Sequence, residues 1–189
     1  MMRDLETIAW ISGEAWMTIL VDREILHLVN NKRITIVPFS ERNLTTAGYD
    51  FSSGIPCDLN PKQQKLIVTA EYLEIPANIL GTIHLKSSLC REGLIGSFAV
   101  IDPGFRGKLT LLLFNSGGST IHINKNEPVA QIIFHKTEGT CSKPYNGRYQ
   151  DSVGLVKSRR KIGKWNLFNF TIHSDYSISC SVSLKILAD

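Results

Sequence analysis

Residues 101–117 read Ile-Asp-Pro-Gly-Phe-Arg-Gly-Lys-Leu-Thr-Leu-Leu-Leu-Phe-Asn-Ser-Gly, and they carry more information than any other stretch of the chain. Asp102 precedes a proline and two glycines, which bend the backbone and allow it to approach a ligand closely. The apolar run 109–114 predicts a buried strand that anchors this turn. The turn can therefore present the Asp102 carboxylate to a substrate. The alternative is that Asp102 only caps the turn before Pro103.

Short runs rich in β-branched residues recur along the chain, separated by glycine, proline or asparagine. They occupy residues 34–37, 65–69, 83–86, 109–114, 120–123 and 129–134. Many short strands predict a sandwich or a barrel. Residues 177–186 alternate polar and apolar side chains, a pattern typical of a half-buried strand.

One helix is predicted ahead of the first of these strands. Asp22 can cap it, because a short acidic side chain accepts hydrogen bonds from the first turn of a helix. Ile25, Leu26 and Val29 then fall on one face, and the helix is expected to end at Asn30.

Length and composition agree with a single globular domain. The chain has 189 residues, of which 43% are hydrophobic. Its formal net charge of +4 suits an anionic ligand such as a nucleotide, yet it falls short of the basic stripe of a nucleic-acid-binding protein. The four cysteines form no CxxC pair and no signal-peptide pattern is present, so reduced thiols and a cytoplasmic location are expected. No apolar run is long enough to span a membrane.

Several segments, in order along the chain, resemble the motifs of the trimeric dUTPases and the dCTP deaminases, two enzyme groups that share one fold. Residues 101–117 resemble the third motif. The others are Ala47-Gly-Tyr-Asp50, Gly81-Thr-Ile-His-Leu-Lys-Ser-Ser-Leu-Cys-Arg91, Pro128-Val-Ala-Gln-Ile-Ile-Phe134, and Tyr145-Asn-Gly-Arg-Tyr149 with Ser158-Arg159. The resemblance implies an all-β fold, a distorted jelly-roll β-barrel with one or two short helices. Its domain covers residues 17–160, with an N-terminal extension (1–16) and a C-terminal tail (161–189) that adds a strand.

The resemblance assigns the chemistry of triphosphate hydrolysis to two carboxylates. Asp102 matches the residue that activates the attacking water, so it is the predicted general base. Asp50 matches a residue that supports Mg²⁺ through water, in keeping with the preference of hard cations for oxygen ligands. Mg²⁺ is therefore the expected cofactor. The alternative is that Asp50 is a structural carboxylate bonded to neighbouring strands.

A cluster of donors is the predicted phosphate site. Lys86, Ser87, Ser88 and Arg91 bring hydroxyls and positive charge together where the family binds phosphate. Lys86 departs from the usual arginine and loses the two-pronged guanidinium while it keeps the charge. Gln131 matches a glutamine that fixes water or phosphate. The alternatives are a solvated charged loop for the cluster and, for Gln131, an amide that satisfies a strand edge.

Recognition of the base and sugar is inferred from the same resemblance. Residues 94–100, ending at Val100, are expected to form a hairpin whose main chain reads the pyrimidine, and Phe105 is expected to pack on the deoxyribose. Phe105 can equally be a core residue. Arg148, Tyr149 and Arg159 are expected to close over the triphosphate, or else to form part of a solvated basic face. The family places its sites between the subunits of a homotrimer, so residues from different chains would meet.

The choice between the two enzyme groups depends on position 112. Deaminases carry a glutamate there that shuttles protons during attack at C4 of cytosine, whereas this chain has Leu112. General acid–base catalysis contributes about two to four orders of magnitude, so deamination by that mechanism should be crippled. Ala47-Gly-Tyr-Asp50 also matches the dUTPase form, and Val100 replaces a residue that is often polar in deaminases. Against the hydrolase, the chain lacks the glycine-rich fifth motif of dUTPases.

The sequence therefore predicts a homotrimeric, cytoplasmic dUTPase that hydrolyses dUTP to dUMP and pyrophosphate with Mg²⁺. One alternative is a dCTP deaminase, with or without dUTP hydrolysis, which would need a glutamate from elsewhere in the pocket. The other is a nucleotide-binding or regulatory protein that kept the fold and lost catalysis.

Overall fold

Antiparallel β-sheets make up most of the protein in the computed structural model, which describes residues 18–160, 171–172 and 178–179. The two helices are α1 (Asp22–Asn30) and α2 (Ser87–Arg91), and a 3₁₀ turn covers Glu41–Asn43. The strands are β1 (Thr18–Ile19), β2 (Thr35–Val37), β3 (Leu44–Thr45), β4 (Gly48–Ser52), β5 (Cys57–Leu59), β6 (Gln64–Glu74), β7 (Ile79–Leu85), β8 (Leu94–Ser97), β9 (Val100–Ile101), β10 (Arg106–Asn115), β11 (Ile121–Ile123), β12 (Pro128–Lys136), β13 (Thr171–Ile172) and β14 (Ile178–Ser179).

Two main sheets enclose the core. One has the order β3-β4-β12-β7-β9, with β1 also paired to β12, and the other has the order β2-β6-β10-β8. A smaller sheet joins β5 to β11. The most deeply buried side chains include Tyr49, Phe51, Leu113 and Phe134, which come from both main sheets. This arrangement confirms the predicted all-β, jelly-roll-like fold with two short helices. None of the described helices has the length and apolar content that a membrane span requires.

The chain divides into two compact units, Met1–Lys157 and Ser158–Asp189. The second contains the antiparallel pair β13–β14. Of the strand predicted over residues 177–186, only Ile178–Ser179 falls within the described part of the chain, and the predicted extension 1–16 lies outside it.

Strand β10 corrects the prediction that residues 109–114 are buried throughout. Leu109, Leu111 and Leu113 point into the core, whereas Leu112 and Phe114 on the other face are only half-buried. Successive side chains of a strand point to opposite faces of its sheet, so a run of leucines can serve two environments. The strand therefore carries an apolar outer face as well as a core face.

The cap of α1 also differs from the prediction. Val21 occupies the N-cap position, and no side chain caps the helix there. Asp22 is the first helical residue, and its carboxylate accepts a hydrogen bond from the backbone N–H of Arg23 (2.8 Å). Burial of Ile25 holds the helix on the core, and Leu28 and Val29 pack beside it. Packing of the apolar face thus determines where this helix lies.

The two main sheets are joined through Thr69 and Glu71 on β6. The buried Glu71 carboxylate accepts the backbone N–H of Ser52 on β4 (2.9 Å). The Thr69 hydroxyl accepts the N–H of Leu109 (3.0 Å), where the pairing of β6 and β10 shifts register, and donates to the carbonyl of Glu71 (2.8 Å). Burial raises the pKa of Glu71 above its ordinary value. These bonds fix β4, which carries Asp50, against the sheet that carries β10.

Substitution of Glu71 tests this connection. We expect Glu71→Leu to lower the free energy of unfolding by about 1–3 kcal/mol relative to Glu71→Gln, because leucine leaves the buried N–H of Ser52 unpaired whereas glutamine keeps an acceptor. Denaturant unfolding of the two variants measures the difference. Equal stabilities would show that the Ser52 bond contributes nothing.

The same pair of proteins reports on the raised pKa of Glu71. A carboxyl whose pKa is raised on folding contributes stability that is fully present below its ordinary pKa of 4.5 and lost as the pH rises through its folded pKa. We therefore expect wild type to lose stability relative to Glu71→Gln as the pH is raised from about 4 to 7. A difference that is constant with pH would contradict the assignment.

Candidate functional site

The predicted general base lies on a tight, fully formed turn. The N–H of Phe105 donates to the carbonyl of Asp102 (3.1 Å), and Gly104 has a φ of +87°. Proline at the second position and a glycine with positive φ at the third define a type II turn. Asp102 is exposed, and its carboxylate makes no hydrogen bond or ion pair with the rest of the described chain. The side chain therefore does not cap the turn, and it is available to a ligand.

A second group of predicted residues converges where β4, β12 and β7 run side by side. Asp50 lies directly across from Gln131, and Gln131 lies across from His84. Lys86, which follows β7, forms an ion pair with Asp50 (Nζ to Oδ2, 2.5 Å), with their side chains 32% and 12% exposed. The amide of Gln131 donates to the hydroxyl of Thr45 on the edge strand β3 (2.5 Å). Through this bond the Gln131 amide satisfies a strand edge, which is the structural alternative for this residue. A contact of Gln131 with water or phosphate stays a prediction.

The short helix α2 presents the other members of the phosphate cluster. Its first residues are Ser87 and Ser88, and Arg91 is its last. All three side chains are exposed, whereas Leu89 is buried and holds the helix on the core. The sequence analysis did not predict this helix, because one turn is too short to show a helical period. Ser87 and Ser88 directly follow Lys86, whose side chain is partly buried against Asp50.

The residues around Asp50 do not fit a resident Mg²⁺ ion. One carboxylate oxygen is engaged by the Lys86 ammonium group, and the other, Oδ1, is buried without a hydrogen-bond partner in the described chain. Mg²⁺ prefers six oxygen ligands and keeps several waters, which a buried oxygen beside a cation cannot accommodate. No group of three or more His, Cys, Asp or Glu side chains in the described residues could hold a metal. Cys57, Cys90 and Cys141 are free thiols.

The segment predicted to read the base is organised differently from the expectation. Residues 94–100 do not form a hairpin with one another, because β8 pairs with β10 in one sheet and β9 pairs with β7 in the other. Val100 is 53% exposed on the edge strand β9. Leu112 faces Ser97 on β8 and Leu66 on β6. The chain thus crosses from one sheet to the other between Ser97 and Val100, directly before the Asp102 turn.

Phe105 fits its core alternative better than the predicted sugar contact. It is only 8% exposed and belongs to the main hydrophobic cluster. Its ring packs against Tyr145 with centroids 5.7 Å apart. The Phe105 ring therefore anchors the Asp102 turn to the hydrophobic core.

The predicted triphosphate-closing residues fall in different units. Arg148 and Tyr149 are exposed and lie between Tyr145 and Asp151, which bond to Pro103 and Arg106 beside Asp102. Arg159 is exposed in the unit that begins at Ser158. Their contact with a triphosphate stays a prediction.

One chain does not bring the two halves of the site together. Ile101, next to Asp102, pairs with Gly81 near the start of β7, whereas Lys86 follows the other end of that strand. Gly81 and Lys86 are five residue steps apart along extended backbone, a distance of about 17 Å. Asp102 and the phosphate cluster of the same chain therefore lie too far apart to act on one phosphorus atom.

Comparison with known proteins identifies the family. A family model described as dCTP deaminase-like matches residues 55–137. A dCTP deaminase of Thermococcus kodakarensis is 41% identical over 145 residues, which are 69% of this chain and 94% of that protein. The chain belongs to the enzyme superfamily of dUTPases and dCTP deaminases.

Two further similarities link this superfamily member to both enzyme groups. A protein of Sulfolobus islandicus rod-shaped virus 1, named "Probable deoxyuridine 5'-triphosphate nucleotidohydrolase", is 29% identical over 156 residues, or 75% of this chain and 98% of that one. The structure of a 2′-deoxycytidine 5′-triphosphate deaminase from Agrobacterium tumefaciens matches with a TM-score of 0.57 and 17% identity, over 64% of this chain and 47% of that one. That structural likeness concerns the fold alone.

A titration with Mg²⁺ tests the conclusion about Asp50. We expect the superfamily member without nucleotide to show no saturable Mg²⁺ binding by calorimetry at millimolar concentrations, because the Lys86 ammonium group already neutralises the only carboxylate of that cluster. Saturable binding that disappears in Asp50→Asn would overturn this conclusion and restore the predicted metal role.

Proposed function

We propose that this superfamily member hydrolyses dUTP to dUMP and pyrophosphate. The observation that carries the proposal is Leu112, which stands where deaminases carry their proton-shuttling glutamate. Its cross-strand neighbours, Leu66 and Ser97, are neither acids nor bases at neutral pH. Attack at C4 of cytosine needs a group that moves protons at that place, whereas attack on phosphorus needs only an oriented water, which Asp102 can supply.

The residues take the following roles in the proposed reaction. Asp102 accepts a proton from the attacking water, and its type II turn holds the carboxylate in one direction. Lys86, Ser87 and Ser88 hold the triphosphate through charge and hydroxyl donors. The Asp50 carboxylate keeps the Lys86 ammonium group half-buried and oriented. Mg²⁺ that entered with the nucleotide would neutralise phosphate charge. In that case the residues described above would not need to bind Mg²⁺ in the absence of the nucleotide.

The proposed enzyme is a homotrimer whose sites form between subunits. Support comes from the span of about 17 Å between Lys86 and Gly81, which pairs with Ile101 beside the Asp102 turn, because a reacting phosphorus atom must lie close to both the base and the donors. The outer face of β10, with half-buried Leu112 and Phe114, and the exposed Val100 offer apolar surface for such contacts.

Deamination of dCTP is the second candidate, and a specific observation favours it. The relative from Thermococcus kodakarensis that shares 41% identity is named a dCTP deaminase, whereas the relative named for dUTP hydrolysis shares 29%. The names of the relatives therefore favour deamination, and they do not confirm the predicted dUTP hydrolysis. The identity of residue 112 favours hydrolysis.

Product analysis distinguishes the two candidates. Purified protein is incubated with Mg²⁺ and either dUTP or dCTP, and the products are separated by ion-exchange chromatography. We expect dUMP from dUTP and no change in dCTP, because Leu112 cannot move protons. Formation of dUTP or dUMP from dCTP would replace the proposal with the deaminase.

Asp102→Asn tests the assigned base. We expect kcat for dUTP to fall by about 10²–10⁴-fold, because an amide cannot accept the proton of water. Affinity for a nonhydrolysable dUTP analogue and the oligomer mass should stay close to those of wild type, since the side chain makes no contact with the rest of the described chain. Unchanged turnover would exclude Asp102 as the base.

Mixed oligomers test the shared site. Asp102→Asn and Lys86→Ala should each be inactive alone, and co-expression should restore about one quarter of wild-type turnover, because a random mixture places an intact Asp102 beside an intact Lys86 of another subunit in that fraction of sites. The positive control is a mixture in which a chain that carries both substitutions is co-expressed with the wild-type chain. No recovery in mixed oligomers of confirmed composition would place both residues of a site in one chain.

A further inference from the structure

Residues 144–152 pack directly on the turn that carries the general base. The N–H of Tyr145 donates to the carbonyl of Pro103 (2.8 Å). The N–H of Asp151 donates to the carbonyl of Arg106 (2.9 Å), and the N–H of Lys108 donates to the carbonyl of Ser152 (2.6 Å). The turn is therefore held by a segment about 45 residues away in sequence, in addition to its own internal bond.

One side chain in this segment, Gln150, contacts the turn itself. Its Oε1 accepts the N–H of Arg106 (3.0 Å). Its Nε2 donates to the carbonyl of Gly104 (2.9 Å) and to that of Tyr145 (3.1 Å). The half-buried amide thus joins the C-terminal end of the turn, and the residue that follows it, to the start of segment 144–152 through three hydrogen bonds.

The chemistry of this position calls for a glutamine. The side chain must accept one hydrogen bond and donate two, which only a carboxamide does. Glutamate lacks both donors, and leucine of similar length lacks all three groups. The same segment also constrains Gly104, because a Cβ on Gly104 would lie 2.6 Å from the Cβ of Pro144. The Asp102 turn and segment 144–152 therefore pack closely against each other.

Arg148 and Tyr149 directly precede Gln150 in the same segment. We infer that Gln150 is a positioning residue that fixes the direction of the Asp102 carboxylate and couples its turn to the part of the chain that meets the triphosphate. Binding of the triphosphate then tightens the turn that holds the base. This inference rests on the proposed function.

Gln150→Leu gives the first test. We expect kcat for dUTP to fall by about 10- to 100-fold, because displacement of a base by about 1 Å has an effect of that size, while KM changes by less than about threefold. The rate is expressed per molecule that binds a nonhydrolysable dUTP analogue, which removes any effect of misfolded protein. Gln64→Leu, an exposed glutamine at the start of β6, is the matched control and should behave as wild type. A kcat within twofold of wild type would overturn the inference.

Gln150→Glu gives a readout that a purely structural role would not move. A glutamate carboxylate repels the carbonyls of Gly104 and Tyr145, whereas a protonated glutamic acid can again donate to one of them. The ratio of its kcat to that of wild type should therefore rise as the pH is lowered from about 8 to 5. A ratio that does not change with pH would contradict the assigned hydrogen bonds.

Hydrogen exchange separates failure of this inference from failure of the proposed function. Amides of residues 102–108 should exchange faster in Gln150→Leu than in wild type, and the dUTP analogue should slow them in wild type only. If wild type hydrolyses no dUTP, the proposed function fails, and the exchange result alone decides whether Gln150 couples the turn to the bound nucleotide. Equal exchange in the two proteins would overturn the inference.

Discussion

The pairing of β7 with β9 on one side and β12 on the other is the constraint on which the rest of the site depends. It places the Asp102 turn at one end of a straight strand and the Lys86 cluster at the other. Backbone hydrogen bonds along both edges make this spacing rigid, so no rotation of a side chain can bring the base to the phosphate donors of its own chain. In the proposed function, a complete site therefore takes residues from a second copy of the chain.

Each half of the site is ordered by contacts that the reaction itself does not use. Glu71, supported by Thr69 on the same strand, bonds Ser52 of β4 from the opposite sheet and so holds Asp50 in place, which in turn orients Lys86. Phe105, Tyr145 and Gln150 support the turn that presents Asp102. In the proposed reaction the reacting groups would be held in position before the nucleotide binds, which is how a protein lowers a barrier by placement and charge.

The sequence was sufficient for the all-β fold, whereas the roles of the predicted site residues stay predictions. The six strands predicted between residues 34 and 134 are present, because alternation and turn residues specify them locally. The errors have physical causes. The leucines of β10 looked like one buried run, yet they face two sides of the sheet. Phe105 belongs to the core cluster, and its contact with a sugar stays a prediction. The contact of Gln150 with Gly104 joins residues 46 positions apart, and no local pattern signals such a contact.

A crystal structure of the protein with a nonhydrolysable dUTP analogue tests the central claim most directly. The account predicts that the α-phosphorus lies beside the Asp102 carboxylate of one subunit while Lys86, Ser87 and Ser88 of a neighbouring subunit hold the triphosphate. An analogue whose triphosphate contacts the Lys86 cluster with no Asp102 carboxylate from any subunit near the α-phosphorus would contradict it.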